Sequence, residues 1–189
     1  YYDNQSFINI KKNMKKSMVL FSVLCFITLT AYATIAALKI DTANSSATFS
    51  IVNMGLTVEG KFNSGVIGEV IFDENDLSSS SIEAHINTKS IDTGIEMRDN
   101  HLRNADYFEV DKYPKISFKS TEITKSGSGY TATGKFTIKD VTKTIKIPFT
   151  YSNNAFTGKF DISRVAYHVG EKSWVMRDKV NITFKVPVR

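Results

Sequence analysis

The chain has 189 residues, of which 42% are hydrophobic, 12% aromatic and 23% charged, a globular balance that excludes wholesale disorder and collagen-like repeats. Its formal charge of +5 gathers near the start: without Lys11, Lys12, Lys15, Lys16 and Asp3, 20 basic and 18 acidic residues remain. That near-balance gives little support to a nucleic-acid surface, and the single cysteine, Cys25, leaves the later chain without disulfides or thiolate chemistry.

Residues 1–13 precede a plausible start at Met14 and are set apart from the fold as an upstream extension. Residues 14–37 have the layout of a secretory signal peptide. Lys15 and Lys16 open it, Val19 to Leu29 is almost unbroken apolar sequence, and Ala31-Tyr32-Ala33 and Ala36-Ala37 offer cleavage after Ala33 or Ala37. The apolar core is shorter than the roughly 20 residues of a spanning helix, so no stable membrane span is expected. Leu24 stands before Cys25 where a lipoprotein would need a small residue. The expected destination is the periplasm or the exterior.

From Ala47 onward, apolar and polar residues alternate with the period of half-buried strands. The apolar members run Ala47-Phe49-Ile51, Val58-Gly60-Phe62, Val66-Gly68-Val70-Phe72 and Ile82-Ala84-Ile86. After a break come Ile116-Phe118, Tyr130 to Ile138, Ile145 to Tyr151, Phe156-Phe160-Ile162 and Val180 to Val186. Turn chemistry separates them at Asp73 to Asp76 with the serines that follow, at Ser126-Gly127-Ser128-Gly129 and at Ser152-Asn153-Asn154. The period of 2 lapses between Met97 and Phe108, which predicts a short helical insertion around residues 95–108.

About eight strands with one apolar face each must pair those faces. An eight-stranded antiparallel up-and-down barrel does so with hairpin-length links and no free edges, and a sandwich is the competitor. An outer-membrane barrel fits poorly, because interfacial tryptophan is nearly absent. The inward set joins Phe49, Phe62, Phe72, Phe118, Phe136, Phe149, Phe160 and Phe184 to glycines and alanines. Inward glycines read either as coiling points or as vacated volume. Under the second reading the eight phenylalanines line a dry lumen for one long apolar molecule.

Chemistry-bearing residues concentrate at Arg98-Asp99-Asn100-His101-Leu102-Arg103. A plain surface helix would carry an Asp99–Arg103 pair one turn apart. The functional reading puts Arg98, Asp99, His101 and Arg103 at the barrel mouth, with Arg98 and Arg103 as donors to a phosphate head. Trp174, beside Tyr167, His168 and Arg177, sits in irregular sequence that reads as an end plug or as an aromatic entrance. No hydrolase, zinc-protease or phosphate-loop motif is present, so no catalytic residue, metal or cofactor is assigned.

Residues 38–189 resemble, in order, the YceI-like family of exported lipocalin-like proteins, also called polyisoprenoid-binding proteins. Ser90-Ile91-Asp92-Thr93-Gly94, Arg98-Asp99-Asn100-His101-Leu102, Asp106-Tyr107-Phe108 and Lys112 to Phe118 carry the resemblance, with Gly134 to Lys143 and Ser163-Arg164. The sequence departs from the family at Lys139-Asp140, Tyr107 and Tyr167-His168. The resemblance implies a barrel with a helical insertion that carries an isoprenoid or other long-chain amphiphile and performs no catalysis. A homodimer is left open. The competing expectations are an enzyme acting on a bound lipid through Asp99 and His101, and a filled structural or adhesive barrel.

Overall fold

The computed structural model describes residues 37–189, so the expected extension and signal segment lie outside the described residues. One antiparallel sheet holds eleven strands: β1 (Leu38–Lys39), β2 (Ser46–Asn53), β3 (Leu56–Phe62), β4 (Ile67–Ile71), β5 (Ser81–Asn87) and β6 (Ile91–Asp92), then β7 (Lys115–Ser126), β8 (Gly129–Ile138), β9 (Val141–Ser152), β10 (Ala155–Ser163) and β11 (Met176–Pro187). Among the described residues a single α-helix, α1 (Glu96–Arg103), lies between β6 and β7.

Eleven strands replace the expected eight. The nine alternating runs form nine separate strands rather than eight, and β1 and β6 are two residues each, too short for alternation to register. The spatial order is β1-β4-β5-β7-β8-β9-β10-β11-β2-β3-β6. The first long strand thus pairs with the last, β2 with β11, while β3 and β4 do not pair although they are consecutive. The short strands occupy that seam. β6 follows β5 and pairs with β3, while β1 pairs with β4 and leads to the Ile40–Val188 bridge beside β11. The sheet therefore curls back on itself, all-β and antiparallel, as the alternation required.

The hairpin turns differ in how well their residues suit them. Asn153-Asn154 between β9 and β10 has both φ values positive (50° and 55°), which asparagine tolerates. Met54-Gly55 between β2 and β3 has the same signs (50° and 78°), and methionine has no local reason to be there.

Inward glycines serve a third purpose beyond the two readings above. A Cβ on Gly60 would collide with the ring of Phe49, its cross-strand partner, and one on Gly158 would collide with Phe184 in the same way. The missing side chains let phenyl rings lie flat on the wall and spare the centre. At one end Phe72, Tyr130, Phe149, Tyr151 and Phe156 pack with centroid separations of 4.6–5.9 Å and close the sheet like a stopper. The Tyr130 hydroxyl donates to Glu74 Oε1 at 2.6 Å, latching the β4–β5 loop over that stopper.

Depressed carboxylates set the acid limit of the fold. The Val165 amide, with help from Ser163 and Arg164, holds Asp178 below the usual carboxylate range against partial desolvation. Asn63 and the Gly94 amide hold Asp92 low as well. Because the folded values lie below the unfolded ones, this stability is complete above about pH 5 and is lost as pH falls through the depressed values. Burial also lowers the pKa of His85, so the folded state favours its neutral form, and that contribution fades as pH drops below about 6.5. Near-ultraviolet circular dichroism at fixed temperature should show stability declining monotonically from neutral pH into acid. A rise in stability between pH 7 and 4 would contradict this assignment.

Candidate functional site

The curled sheet encloses a cavity of about 270 Å³ whose walls are almost wholly apolar. Seven of the eight predicted phenylalanines line it; Phe72 is the exception, packed against the other four rings of the aromatic stopper. Alternation did not single out Phe108, which follows the helix, or Leu102 and Arg98, which the helix itself contributes. Walls near the stopper are fully buried, whereas Val58, Thr93, Arg98, Met176 and Val180 at the opposite end keep partial exposure. That end is the mouth.

The helical segment reaches the mouth through its own hydrogen bonds. Asp99 is 6% exposed, and its Oδ1 accepts from the Thr93 amide at 2.8 Å and the Thr93 hydroxyl at 2.6 Å. This ties the chain entering α1 to the first turn of the helix, where the dipole also favours a carboxylate. Arg98 donates from Nε to Thr93 Oγ1 and from Nη2 to the Thr93 carbonyl, both at 2.8 Å. Arg98 lines the cavity, and its guanidinium has no carboxylate within 4 Å among the described residues.

The other predicted mouth residues separate. Arg103 donates to the Lys89 carbonyl at 3.0 Å, Ile91 carbonyl at 2.7 Å and Asn100 Oδ1 at 2.9 Å, holding β6 against the helix. The Asp99–Arg103 pair of a plain surface helix does not form, since Asp99 turns inward to Thr93 and Arg103 turns to backbone. His101 is exposed, its ring 5.0 Å from that of Tyr107 and outside the cavity wall. Asp99 and His101 do not hydrogen-bond to each other, so the acid–base dyad is not assembled. Trp174 is 96% exposed and also stands outside the wall.

Arg164 carries part of the resemblance but is not among the predicted site residues. It is 3% exposed and lines the cavity, and its Nε, Nη1 and Nη2 donate to the carbonyls of Arg177 (3.1 Å), Val169 (3.0 Å) and Met176 (3.3 Å). A guanidinium has five N–H groups, so two remain. No carboxylate lies within 4 Å of this buried cation among the described residues. The signal in the sequence was a charge placed where β10 ends and alternation stops. Nearby residues 164–169 form a plug, with Tyr167 buried against Phe136, while residues 171–175 do not. Lys139 fills a positive-φ turn position (53°) and donates to the carbonyls of Ala105 and His168, both at 3.1 Å, clasping the plug to the loop after α1.

No group of three or more His, Cys, Asp or Glu among the described residues could hold a metal ion. An apolar cavity whose lining includes Arg98 and Arg164 can hold a hydrocarbon and, through those cations, attract an anion. Its lining includes Ser117 opposite His85 on β7 and β5, and no hydrogen bond joins their side chains.

Residues 38–188 match the model of the YceI-like domain. A UPF0312 protein of Pectobacterium atrosepticum is 34% identical over 137 residues, 71% of each chain, and the protein YceI of Salmonella paratyphi B is equally similar over the same span. Among solved structures, BcnA of Burkholderia cenocepacia superposes with a TM-score of 0.73 at 30% identity, covering 78% of this chain and 98% of that one. A polyisoprenoid-binding domain from Saccharophagus degradans superposes with a TM-score of 0.59 at 13% identity, covering 80% and 97%.

Proposed function

The chain belongs to the YceI-like family, and we propose that it is an exported carrier that holds one long-chain amphiphile, of the isoprenoid class, in the cavity of its curled sheet. The observation that carries the reading is the apolar cavity with Arg98 and Arg164 in its wall. A chain leaving water for such walls gains about 0.8 kcal/mol per methylene, so fifteen carbons supply roughly 12 kcal/mol before the costs of binding. The guanidiniums then select an anionic head. The polyisoprenoid-binding domain of Saccharophagus degradans, named for such a ligand and similar in fold, supports the class. The basic and apolar start of the sequence supports export.

Catalysis has less support, because Asp99 is turned to Thr93 and His101 faces outward. Native mass spectrometry with a long-chain monophosphate and the alcohol of the same chain tests the carrier reading. One bound monophosphate per protein is expected, with weaker retention of the alcohol. Absence of both adducts over a range of chain lengths would overturn it. Arg98→Gln should weaken the monophosphate about tenfold or more, the size of a charged hydrogen bond, while leaving the alcohol unchanged. Equal losses for both ligands would remove Arg98 from head recognition.

A further inference from the structure

Six large apolar side chains are exposed among the described residues, and five lie on three segments that border the mouth. Met54 (76% exposed) and Leu56 (72%) form the β2–β3 tip. Ile95 (53%) and Met97 (84%) lie at the start of α1, and Trp174 (96%) lies in the loop before β11. The Met54 amide donates to the Val175 carbonyl at 2.7 Å, and Met176 stands opposite Asn53, so tip and loop are joined. Asn53, Thr93, Arg98 and Met176, which adjoin these apolar residues, line the cavity itself.

Folding does not account for the rim. Met54 occupies a positive-φ turn position that asparagine or glycine would take without strain, yet its side chain is largely in water. Trp174, the only tryptophan of the chain, is almost fully exposed although its indole could bury much area. Strain and exposure together indicate a surface completed by something apolar.

The geometry points to a lipid bilayer as that occupant: the mouth docks on a membrane surface, with Met54, Leu56, Ile95, Met97 and Trp174 inserted among the acyl chains. Two observations favour a bilayer over a second copy or another protein. The rim borders the opening of an apolar cavity, so docking would join hydrocarbon to hydrocarbon and let a chain enter without crossing water. Charges on the rim segments are also mixed and nearly cancel: Glu59, Glu96 and Glu171 stand against Lys172 and Arg177, with Arg98 beside them. Such a rim suits a zwitterionic headgroup layer entered by apolar side chains rather than an oppositely charged protein face. An indole suits the depth at which headgroups meet chains. The choice of a bilayer rests on the carrier reading, since the cargo is itself a membrane amphiphile.

The lone tryptophan serves as the reporter. Full-length protein is mixed with phosphatidylcholine vesicles, and Trp174 emission is recorded with and without brominated acyl chains. Docking predicts a blue shift, quenching by the bromines, and persistence of both in 0.5 M salt. Met54→Asn with Leu56→Ser and Met97→Ser should cut vesicle affinity at least tenfold, while Met54→Asn alone raises Tm by about 2–4 °C through relief of the turn. Vesicles that leave Trp174 emission unchanged would overturn the proposal, even when residues 1–36 bring the protein down with the vesicles. A shift that grows with protein concentration and ignores vesicles would overturn it in favour of a second copy. Uptake of a chain from detergent with no vesicle response would refute docking alone, and a vesicle response without uptake would refute the cavity reading alone.

Discussion

Ala84→Leu is expected to weaken binding of a long-chain amphiphile roughly fifty-fold without lowering Tm. Ala84 sits on β5 opposite Gly68 and Phe118, half-buried, with its side chain toward the cavity. Leucine adds three carbons, which displace about as many ligand methylenes. At about 0.8 kcal/mol each, the loss is about 2.4 kcal/mol, and 1.4 kcal/mol is tenfold. The paired Tm measurement separates an open centre from a full one. In a close-packed interior the same insertion costs about 1–3 kcal/mol of stability. A destabilised variant with undiminished uptake would place the chain somewhere else.

Arg164→Met is expected to have the largest effect on stability. The guanidinium satisfies three carbonyls from residues 169, 176 and 177, which come from the plug and from the first two residues of β11. The bond to Val169 is buried and the other two are part-buried; losing a donor costs about 1–3 kcal/mol at a buried acceptor and less at a part-buried one, so the variant should lose about 3 kcal/mol. For a domain of this size that is a drop of roughly 6–12 °C in Tm. Arg164→Lys retains the charge but lacks the planar fork, so it should recover only part of the loss. Thermal unfolding by circular dichroism decides the matter, and a methionine variant as stable as the parent would show that the plug holds without this residue. Ligand separates the two roles of Arg164. A long-chain monophosphate should raise the Tm of the parent more than that of Arg164→Lys, whereas the corresponding alcohol should raise both alike.

The barrel-like sheet was legible because alternation over five or more residues has one physical cause, a strand with one wet and one dry face. Seven of the eight inward phenylalanines reach the cavity for that reason. Phe72 follows the same alternation but lies at the strand's end, where the packing of four other rings decides its place. β1 and β6 escaped notice because two residues have no period; the seam they fill is set by register around the sheet, a long-range property.

The mouth was harder to read. Arg98, Asp99, His101 and Arg103 are adjacent in sequence, yet a helix sends neighbours in different directions. One enters the cavity wall, one binds Thr93, one faces Tyr107 and one binds backbone. Arg164 lies more than sixty residues from that cluster, and only the pairing of β10 with β11 brings it to the same cavity. The glycines illustrate the same limit. Their lack of side chains is plain in the sequence, but the cross-strand rings that use the space appear only once register is known.

A crystal structure of the protein grown with a long-chain monophosphate tests the central claim most directly. Hydrocarbon density is expected along the axis between Phe49, Phe118 and Ile182, with the phosphate at the mouth within reach of Arg98 or Arg164. Density confined to the outer surface, or a centre closed by the protein's own side chains, would contradict it.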